Sequence, residues 1–421
     1  MAGVTSKKLN LLELPSEVLL QIISNLPYRS LCRIGRTCKQ LQALSLDESL
    51  WKQQCQTEFF VKECTEEEGW FRQFRWLHTR FARYHSAAVY RNMRRLWDRL
   101  EKYLQENDRE MYDSLREPCD YSEIQIAEQK MTCRFPADLR CSLQIHNGQQ
   151  MGSGVGVYGC MTISTYYRSE GLLDAASMAR LYDNDGDLPG CVPLTYCFVS
   201  RKSQYVAVND EGGFTVGEVF YPTPDQDSTD ADIFITGKTY TEWFTDLVEA
   251  LESKKFPRID GRVFRFHDDP ECVAVTKDCF TVKATSCFMP DLSTVNPPHF
   301  FFTYRITMTM DPSASNSKAC QLETRHWVIT DEEGNEETVD GRGVVGEFPM
   351  MTPGSEFSWI SCTTFNTTYG NMRGHFTMKN DDGEEISILC PTYHMKCLPY
   401  KTAAERRQER RQQILHRKKN L

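Results

Sequence analysis

Apolar residues near the start of the chain recur at the spacing of a helix. One stripe with a repeat of four residues consists of Leu14, Val18, Ile22 and Leu26. That repeat places the four side chains on one helical face. Pro15 suits a first helical turn and Pro27 disfavours helix just before it, so the pattern predicts a helix of about three turns. Ser30 and Asp47 predict the caps of a second and a third helix.

The middle of the chain combines helix caps with short β-type runs. Ser122 with Gln125, and Thr239 with Glu242, have the spacing of capping boxes. A further helix is predicted to open at residues 135–138 and to end before the turn pair Asn147-Gly148. Helices that surround a few strands indicate an α+β domain.

After Pro257 the hydrophobic repeat changes from a helical period to a period of two. The clearest alternating set is Phe302, Tyr304, Ile306, Met308 and Met310. Other strand-like runs, separated by turn signals, lie at residues 272–288, 320–330, 357–364 and 386–395. Such spacing predicts an all-β sandwich. The fold class is therefore multidomain, with an all-α region, an α+β domain and a β-sandwich in that order.

Composition narrows the functional classes. The chain has 421 residues, of which 40% are hydrophobic and 25% charged, so it can build several cores. A formal net charge of −9 argues against a surface that attracts phosphate backbones, so no nucleic-acid partner is expected. No stretch is apolar enough for a membrane span. The 17 cysteines are odd in number and show no C-x-x-C spacing, so we expect neither disulfides nor a metal site, and no cofactor.

The helical N-terminus carries the first family signature. Residues 14–26, followed by Leu31, Cys38, Leu41 and Leu50-Trp51, resemble the F-box motif. The resemblance implies docking on the Skp-type adaptor of a cullin-RING ubiquitin ligase, with Leu14 and Pro15 seating the adaptor and Trp51 closing the box's own core. Three short helices cannot bury all their apolar residues on each other, so a helical partner can complete the core. The predicted adaptor-binding set is Leu14, Pro15, Val18, Leu19, Ile22, Leu31 and Ile34.

Two further resemblances follow along the chain. Residues 135–138 leading to 145–148 resemble the core of the SUKH superfamily, and residues 341–349 with 353–354, 370–374 and 382–383 resemble the bacterial ApaG domain. The predicted organisation is an F-box at 10–60, a helical connector at 61–91, a SUKH-like domain at 92–256, an ApaG-like domain at 263–400 and a basic tail at 401–421. The tail is expected to be a solvated terminus or an exposed helix, or else a nuclear-targeting segment.

Gly341, Gly343 and Gly346 match a dinucleotide-binding string. That chemistry needs a helix N-terminus after the glycines, and Pro349 argues against one, so turns of a sandwich are the preferred interpretation. Within this segment Glu347 and Phe348 are candidate substrate-binding residues. The alternative is that Phe348 is core and Glu347 merely solvated, and the sequence does not decide between them.

Together the three resemblances imply a non-catalytic substrate adaptor. The expected partners are the Skp-type adaptor, through it the cullin and RING subunits, and protein substrates, with no membrane partner. We expect a soluble protein of the nucleus and cytoplasm. A protein that binds a small ligand or phosphate at the glycine segment is the alternative function.

Overall fold

The computed structural model consists of two compact units, Met1–Arg95 and Leu96–Leu421. It describes residues 11–65, 69–82, 87–150, 156–164, 166–183, 186, 188–224, 231–267, 275–277 and 279–419. The first residue of the predicted F-box and the last two of the predicted tail lie outside these ranges. No helix in the described ranges combines the length and the apolar character needed to cross a bilayer.

The first unit is helical. After a 3₁₀ turn at Leu11–Glu13 it contains α1 Ser16–Ile23, α2 Tyr28–Ile34, α3 Lys39–Ser45, α4 Glu48–Phe59, α5 Trp70–Leu77, a π-helical turn His78–Ala82 and the start of α6 Ala87–Asn107. Asp47 caps α4 as predicted, because its carboxylate accepts the Ser49 N–H at 2.9 Å. The predicted cap at Ser30 is wrong, since Pro27 precedes α2 and Ser30 lies inside it. The second predicted helix, which carried both Leu31 and Leu41, is divided in the structure into α2 and α3.

The stretch predicted as a connector packs into the same core as the F-box helices. Phe74 of α5 lies 4.9 Å from the Trp51 ring and 5.5 Å from the Phe59 ring, measured between ring centroids. Trp51 is buried, and its Nε1–H donates to the Ser45 carbonyl at 2.8 Å. As expected, Trp51 therefore closes the core of this unit rather than facing solvent.

The second unit begins with a mixed region of helices and short strands. Its elements are α7 Arg109–Asp113, α8 Tyr121–Met131, α9 Ala137–Leu143, β1 Cys160–Ile163, β2 Tyr166–Ser169, β3 Gly171–Leu172, α10 Ala175–Leu181, β4 Cys191–Pro193, β5 Thr195–Tyr196, β6 Tyr205–Ala207, β7 Val219–Pro222, β8 Ile233–Gly237 and α11 Tyr240–Glu252. The cap at Thr239 is confirmed. The other capping box is formed by Asp120 and Glu123, two residues earlier than predicted.

The C-terminal part is a β-sandwich. After the hairpin β9 Arg258–Ile259 and β10 Arg262–Val263, its strands are β11 Val275–Lys277, β12 Phe280–Phe288, β13 Phe300–Met310, β14 Cys320–Asp331, β15 Glu336–Arg342, β16 Met350–Met351, β17 Glu356–Phe365, β18 Tyr369–Asn380 and β19 Glu385–Lys396. One sheet has the order β11-β12-β13-β17 and the other β15-β14-β18-β19, with β16 on β14. Both inner faces contribute to one core cluster. The predicted multidomain class, helical then α+β then all-β, is confirmed.

The end of the chain returns to the middle region. A short strand, β20 Tyr400–Lys401, adds to the edge of the sheet β8-β7-β6-β4 by pairing with β8, and α12 Ala403–Lys419 follows. Arg406 is only 1% exposed, and its guanidinium donates to the carbonyls of Gly212 and Ala231 and lies over the Phe214 ring. The prediction of a solvated terminus is thus wrong at Arg406, because this side chain satisfies carbonyls of a distant loop.

A buried charge network connects the middle region to the sandwich. Arg168 of β2 is fully buried and forms ion pairs with Glu170, at 2.7 Å, and with Asp291, in the 3₁₀ turn before β13. Tyr221 of β7 and Arg265 also bond to Glu170. Burial by itself lowers the pKa of the Arg168 guanidinium, but Glu170, Tyr221 and Asp291 outweigh burial and hold this pKa well above its usual value. The positive charge of Arg168 is therefore neutralised by a carboxylate from the middle region and by one from the sandwich.

We predict that Arg168→Met strongly destabilises the protein. The change leaves Asp291 buried without its cation and Glu170 with only the longer contact to Arg265, and breaking a buried ion pair typically costs about 3–5 kcal/mol. The control is Arg99→Met, which breaks the half-exposed pair with Glu252 and is expected to cost at most about 1 kcal/mol. Guanidinium unfolding of the full chain, followed by circular dichroism, measures both. Equal midpoint shifts for the two variants would contradict the assignment.

Candidate functional site

The exposed side of α1 is the first candidate surface. Val18 and Ile22 are 40% and 44% exposed, and they lie one helical turn apart. Leu11 and Leu12 in the preceding 3₁₀ turn are also exposed. Pro15 is exposed at the N-cap of α1, with a φ of −54°. Large apolar side chains therefore face solvent at the position where the sequence predicted a docking surface.

The predicted adaptor-binding residues divide into two groups. Leu14 and Ile34 are half-buried, whereas Leu19 and Leu31 are fully buried. Leu31 packs with Ile23 and Leu50 in the interior of the unit. Leu19 and Leu31 therefore belong to the part of the set that the chain itself covers, and Leu31 does so with residues of α1, α3 and α4. These two side chains can hold α1 and α2 in place but do not lie on the exposed surface.

The glycine segment after β15 forms a tight turn. Val344 donates its N–H to the Glu347 carbonyl at 2.9 Å, and Glu347 donates back to the Val344 carbonyl at 2.8 Å. The Val344 side chain is fully buried and anchors the turn in the sandwich core. Gly343 needs its φ of +61°, and a Cβ there would lie 2.4 Å from the Glu347 carbonyl oxygen.

This turn, residues 343–349, presents both predicted substrate-binding residues to solvent. Glu347 is exposed, and Phe348 is 40% exposed with the Arg342 guanidinium over its ring at 5.5 Å. Val345 in the turn and Met350 just after it are more exposed than Phe348. The alternative in which Phe348 is core therefore does not hold. Substrate binding by Glu347 and Phe348 stays a prediction.

The glycine segment lacks the geometry of a dinucleotide site. No helix follows β15 within residues 343–355, so no helix N-terminus lies at the glycines. The amides of Gly343, Val344 and Glu347 already donate to backbone carbonyls. A phosphate would have to displace those bonds, so the turn does not favour the small-ligand alternative. Among the described residues, no three His, Cys, Asp or Glu side chains are grouped to hold a metal ion.

Arg325 is a supporting residue that the sequence pattern did not reveal. Its guanidinium donates to the carbonyls of Gly343 at 2.7 Å and Arg342 at 3.1 Å, which fixes the base of the turn. Gly341 lies opposite Arg325 in the strand register, and a Cβ at 341 would come within 2.7 Å of the guanidinium carbon. Gly341 therefore makes room for the arginine, a role that depends on cross-strand pairing.

His146, the histidine inside the SUKH-like motif, has a packing role. Its ring lies 4.7 Å from the Trp97 ring, and its two nitrogens contact the Arg116 carbonyl at 2.9 Å and the Glu101 carboxylate at 3.1 Å. Both nitrogens are thus satisfied by the protein, as expected for a structural histidine at a helix end.

Comparisons with known proteins match all three regions. Family models match at residues 11–57 (F-box-like), 118–246 (SMI1/KNR4 family, SUKH-1) and 290–380 (ApaG domain). F-box only protein 3 of Bos taurus is 39% identical over 95% of this chain and 86% of its own length. Protein ApaG of Methylobacillus flagellatus is 39% identical over 27% of this chain and 87% of its own. The solved putative ApaA protein of Bordetella pertussis is 29% identical, covers 28% of this chain and 94% of its own, and gives a TM-score of 0.26.

We predict that Gly343→Ala destabilises the 343–349 turn more than Gly346→Ala does. Both glycines have positive φ, so each alanine carries a backbone strain of about 1 kcal/mol. At 343 the new methyl also collides with the Glu347 carbonyl, whereas nothing lies within 4 Å of a Cβ at 346. Melting temperatures and the hydrogen exchange of the Val344 and Glu347 amides measure the difference. Equal exchange in the two variants would show that the collision is relieved elsewhere.

Proposed function

The chain belongs to the F-box only protein 3 family, and we propose that it acts as a substrate-recognition subunit of a Skp-cullin-F-box ubiquitin ligase. Proteins with an F-box are typically non-catalytic adaptors. The observation that carries the proposal is the exposed apolar side of α1, formed by Val18 and Ile22 on a unit whose interior is already closed. An exposed apolar surface on an otherwise closed core favours a partner that covers it.

The physical basis of docking is the apolar area that the adaptor would cover. Full burial of an exposed Val or Ile side chain contributes about 1.5–3 kcal/mol, and the adaptor can cover the somewhat less than half of each side chain that Val18 and Ile22 still expose, so together they contribute on the order of 2 kcal/mol. The buried residues Leu19 and Leu31 hold the two helices rigid, so little conformational entropy is lost on binding. Pro15 restricts the backbone at the entry to α1 and supports the same preorganisation.

The proposed role of the second unit is to hold the substrate. A chain that binds the adaptor through one unit and a target through the other raises the effective concentration of target lysines near the ubiquitin-loaded enzyme. The exposed turn at 343–349 is the proposed contact in the sandwich, where Glu347 would accept a basic side chain and Phe348 would supply apolar area. We further propose that the protein works in the nucleus and cytoplasm.

The cysteines support a positioning role rather than covalent transfer. Burial raises the pKa of the Cys55, Cys119 and Cys141 thiols to about 12, so these are protonated at neutral pH. Burial also raises the pKa of the Cys362 thiol, although that residue is exposed on β17. A cysteine that carries ubiquitin as a thioester must attack as a thiolate. These environments disfavour the thiolate.

We predict that Val18→Glu with Ile22→Glu abolishes adaptor binding while the fold remains intact. The two carboxylates would have to be desolvated at the apolar interface, which costs several kcal/mol. The control is Ile126→Glu, which makes the same change at an exposed position on α8 of the other unit. Leu14→Ala with Pro15→Ala is expected to weaken binding to a lesser degree. Surface plasmon resonance against the Skp-type adaptor measures each, and unchanged affinity in the α1 variants would refute docking through α1.

We predict that Cys362→Ala and Cys390→Ala leave ubiquitin transfer unchanged in a reconstituted ligase. The pKa of the Cys362 thiol is raised by burial, Cys390 is buried, and both residues lie on strands of the sandwich, outside α1. The rate of substrate ubiquitination is the measurement, with removal of the cullin subunit as the control that abolishes it. A ubiquitin adduct on this chain that is released by a reducing agent would overturn the non-catalytic assignment.

A further inference from the structure

The loop between β5 and β6, residues 197–202, exposes two large apolar side chains side by side. Phe198 is 58% exposed and Val199 is 63% exposed, more than either apolar residue of the α1 surface. The Phe198 ring contacts only the edge of the Tyr196 ring among the described aromatic residues, at 5.1 Å between centroids. In the sequence the run Tyr196-Cys197-Phe198-Val199 has the composition of a strand, so the pattern alone conceals this exposure.

The backbone beneath these side chains is tightly held. Cys197 donates its N–H to the Lys202 carbonyl at 3.0 Å, and Arg201 donates to the Cys197 carbonyl at 2.8 Å. The buried Cys197 sulfur accepts from the amides of Ser169 at 3.3 Å and Ser200 at 3.5 Å. The loop is therefore ordered before any partner arrives, and binding to it costs little conformational entropy.

Two cations flank the apolar tip. Arg201 and Lys202 are both exposed, and neither forms an ion pair with any residue in the described ranges. Arg201 has a φ of +57°, and only Ser200 separates the apolar pair from the two cations in the chain. An apolar pair beside two unpaired cations is complementary to an acidic segment that also carries a large apolar side chain.

We propose that the 197–202 loop binds an acidic protein segment containing at least one large apolar residue. The apolar side chain of the segment packs on Phe198 and Val199, and its carboxylates pair with Arg201 and Lys202. The proposal rests on the proposed function, because it names the class of substrate that the second unit receives. It assigns this contact to the SUKH-like region, separate in sequence from the 343–349 turn.

A lipid surface fits the same chemistry less well. Membrane attachment through loops needs several inserted side chains or a polybasic cluster, since even one acyl chain gives only marginal binding. This loop offers two apolar residues and two cations. A protein segment can instead surround both apolar side chains and place its carboxylates at defined positions, so the observations favour a protein occupant.

The test uses the full chain in complex with its Skp-type adaptor. A display library of random 12-residue peptides is selected on the complex, and enriched peptides are measured by fluorescence polarisation. We expect enrichment of peptides that combine Asp or Glu with a large apolar residue. Phe198→Ser with Val199→Ser should weaken their binding at least tenfold. Lys202→Glu should weaken it at least fivefold, and Lys202→Arg should retain it.

The matched control is Val216→Ser, which removes an equally large exposed apolar side chain from another turn of the same region. It should leave peptide binding and the melting temperature unchanged. The proposal is overturned if no acidic-apolar peptides are enriched, if the loop variants bind them as well as the parent does, or if loop-dependent binding occurs only to phosphatidylserine vesicles.

Adaptor affinity, measured on the same variants, separates this proposal from the proposed function. Loop variants that bind the adaptor normally but show no difference in peptide binding refute the loop assignment and leave the ligase role standing. A parent chain that fails to bind the adaptor refutes the ligase role itself. Lys202→Glu alters an exposed charge only, so it remains informative if the double serine variant folds poorly.

Discussion

The second unit depends on the buried charge network around Arg168. Arg168 and Glu170 belong to the middle region, whereas Asp291 lies in the 3₁₀ turn before β13 of the sandwich. Removing Arg168 or Asp291 while the other stays buried would leave a desolvated charge without its partner, which costs much more than loss of a surface ion pair. The core cluster also crosses the boundary, because Tyr221 and Phe234 pack with the sandwich residues. Charge pairing and apolar packing together make Leu96–Leu421 one body.

Rigidity of this kind explains how short exposed segments can serve as binding sites. The 343–349 turn is anchored by the buried Val344 side chain, and the 197–202 loop by the buried Cys197. In each case the apolar side chains exposed to solvent are adjacent to a residue in the core. The first unit follows the same principle, since the buried Leu19 lies on α1 between the exposed Val18 and Ile22 in the sequence. All three proposed binding surfaces are therefore preorganised.

The sequence located the candidate surface on α1 but did not correctly divide its residues. A helical repeat identifies which side chains share a face, yet it does not reveal which face the rest of the unit covers. The second predicted helix is divided into α2 and α3, so the sequence did not show which members of the apolar set the unit itself buries. For Glu347 and Phe348 the two possibilities were open until the Val344–Glu347 turn placed both outside the core.

The sequence by itself predicted the features that follow from the periodic spacing of apolar residues. These features are the order of the three regions, the Thr239 cap and the alternating strand around Ile306. Each depends on residues that are close in the sequence, so the local pattern of apolar and polar residues predicts it. Only the tertiary structure decided what depends on distant partners. Position 374 of β18 needs glycine, because a Cβ there would lie 2.0 Å from the His326 carbonyl oxygen of the adjacent strand β14. The buried guanidinium of Arg406 donates to the carbonyls of Gly212 and Ala231, which lie 194 and 175 residues earlier in the chain. No local sequence pattern predicts hydrogen bonds over such a separation.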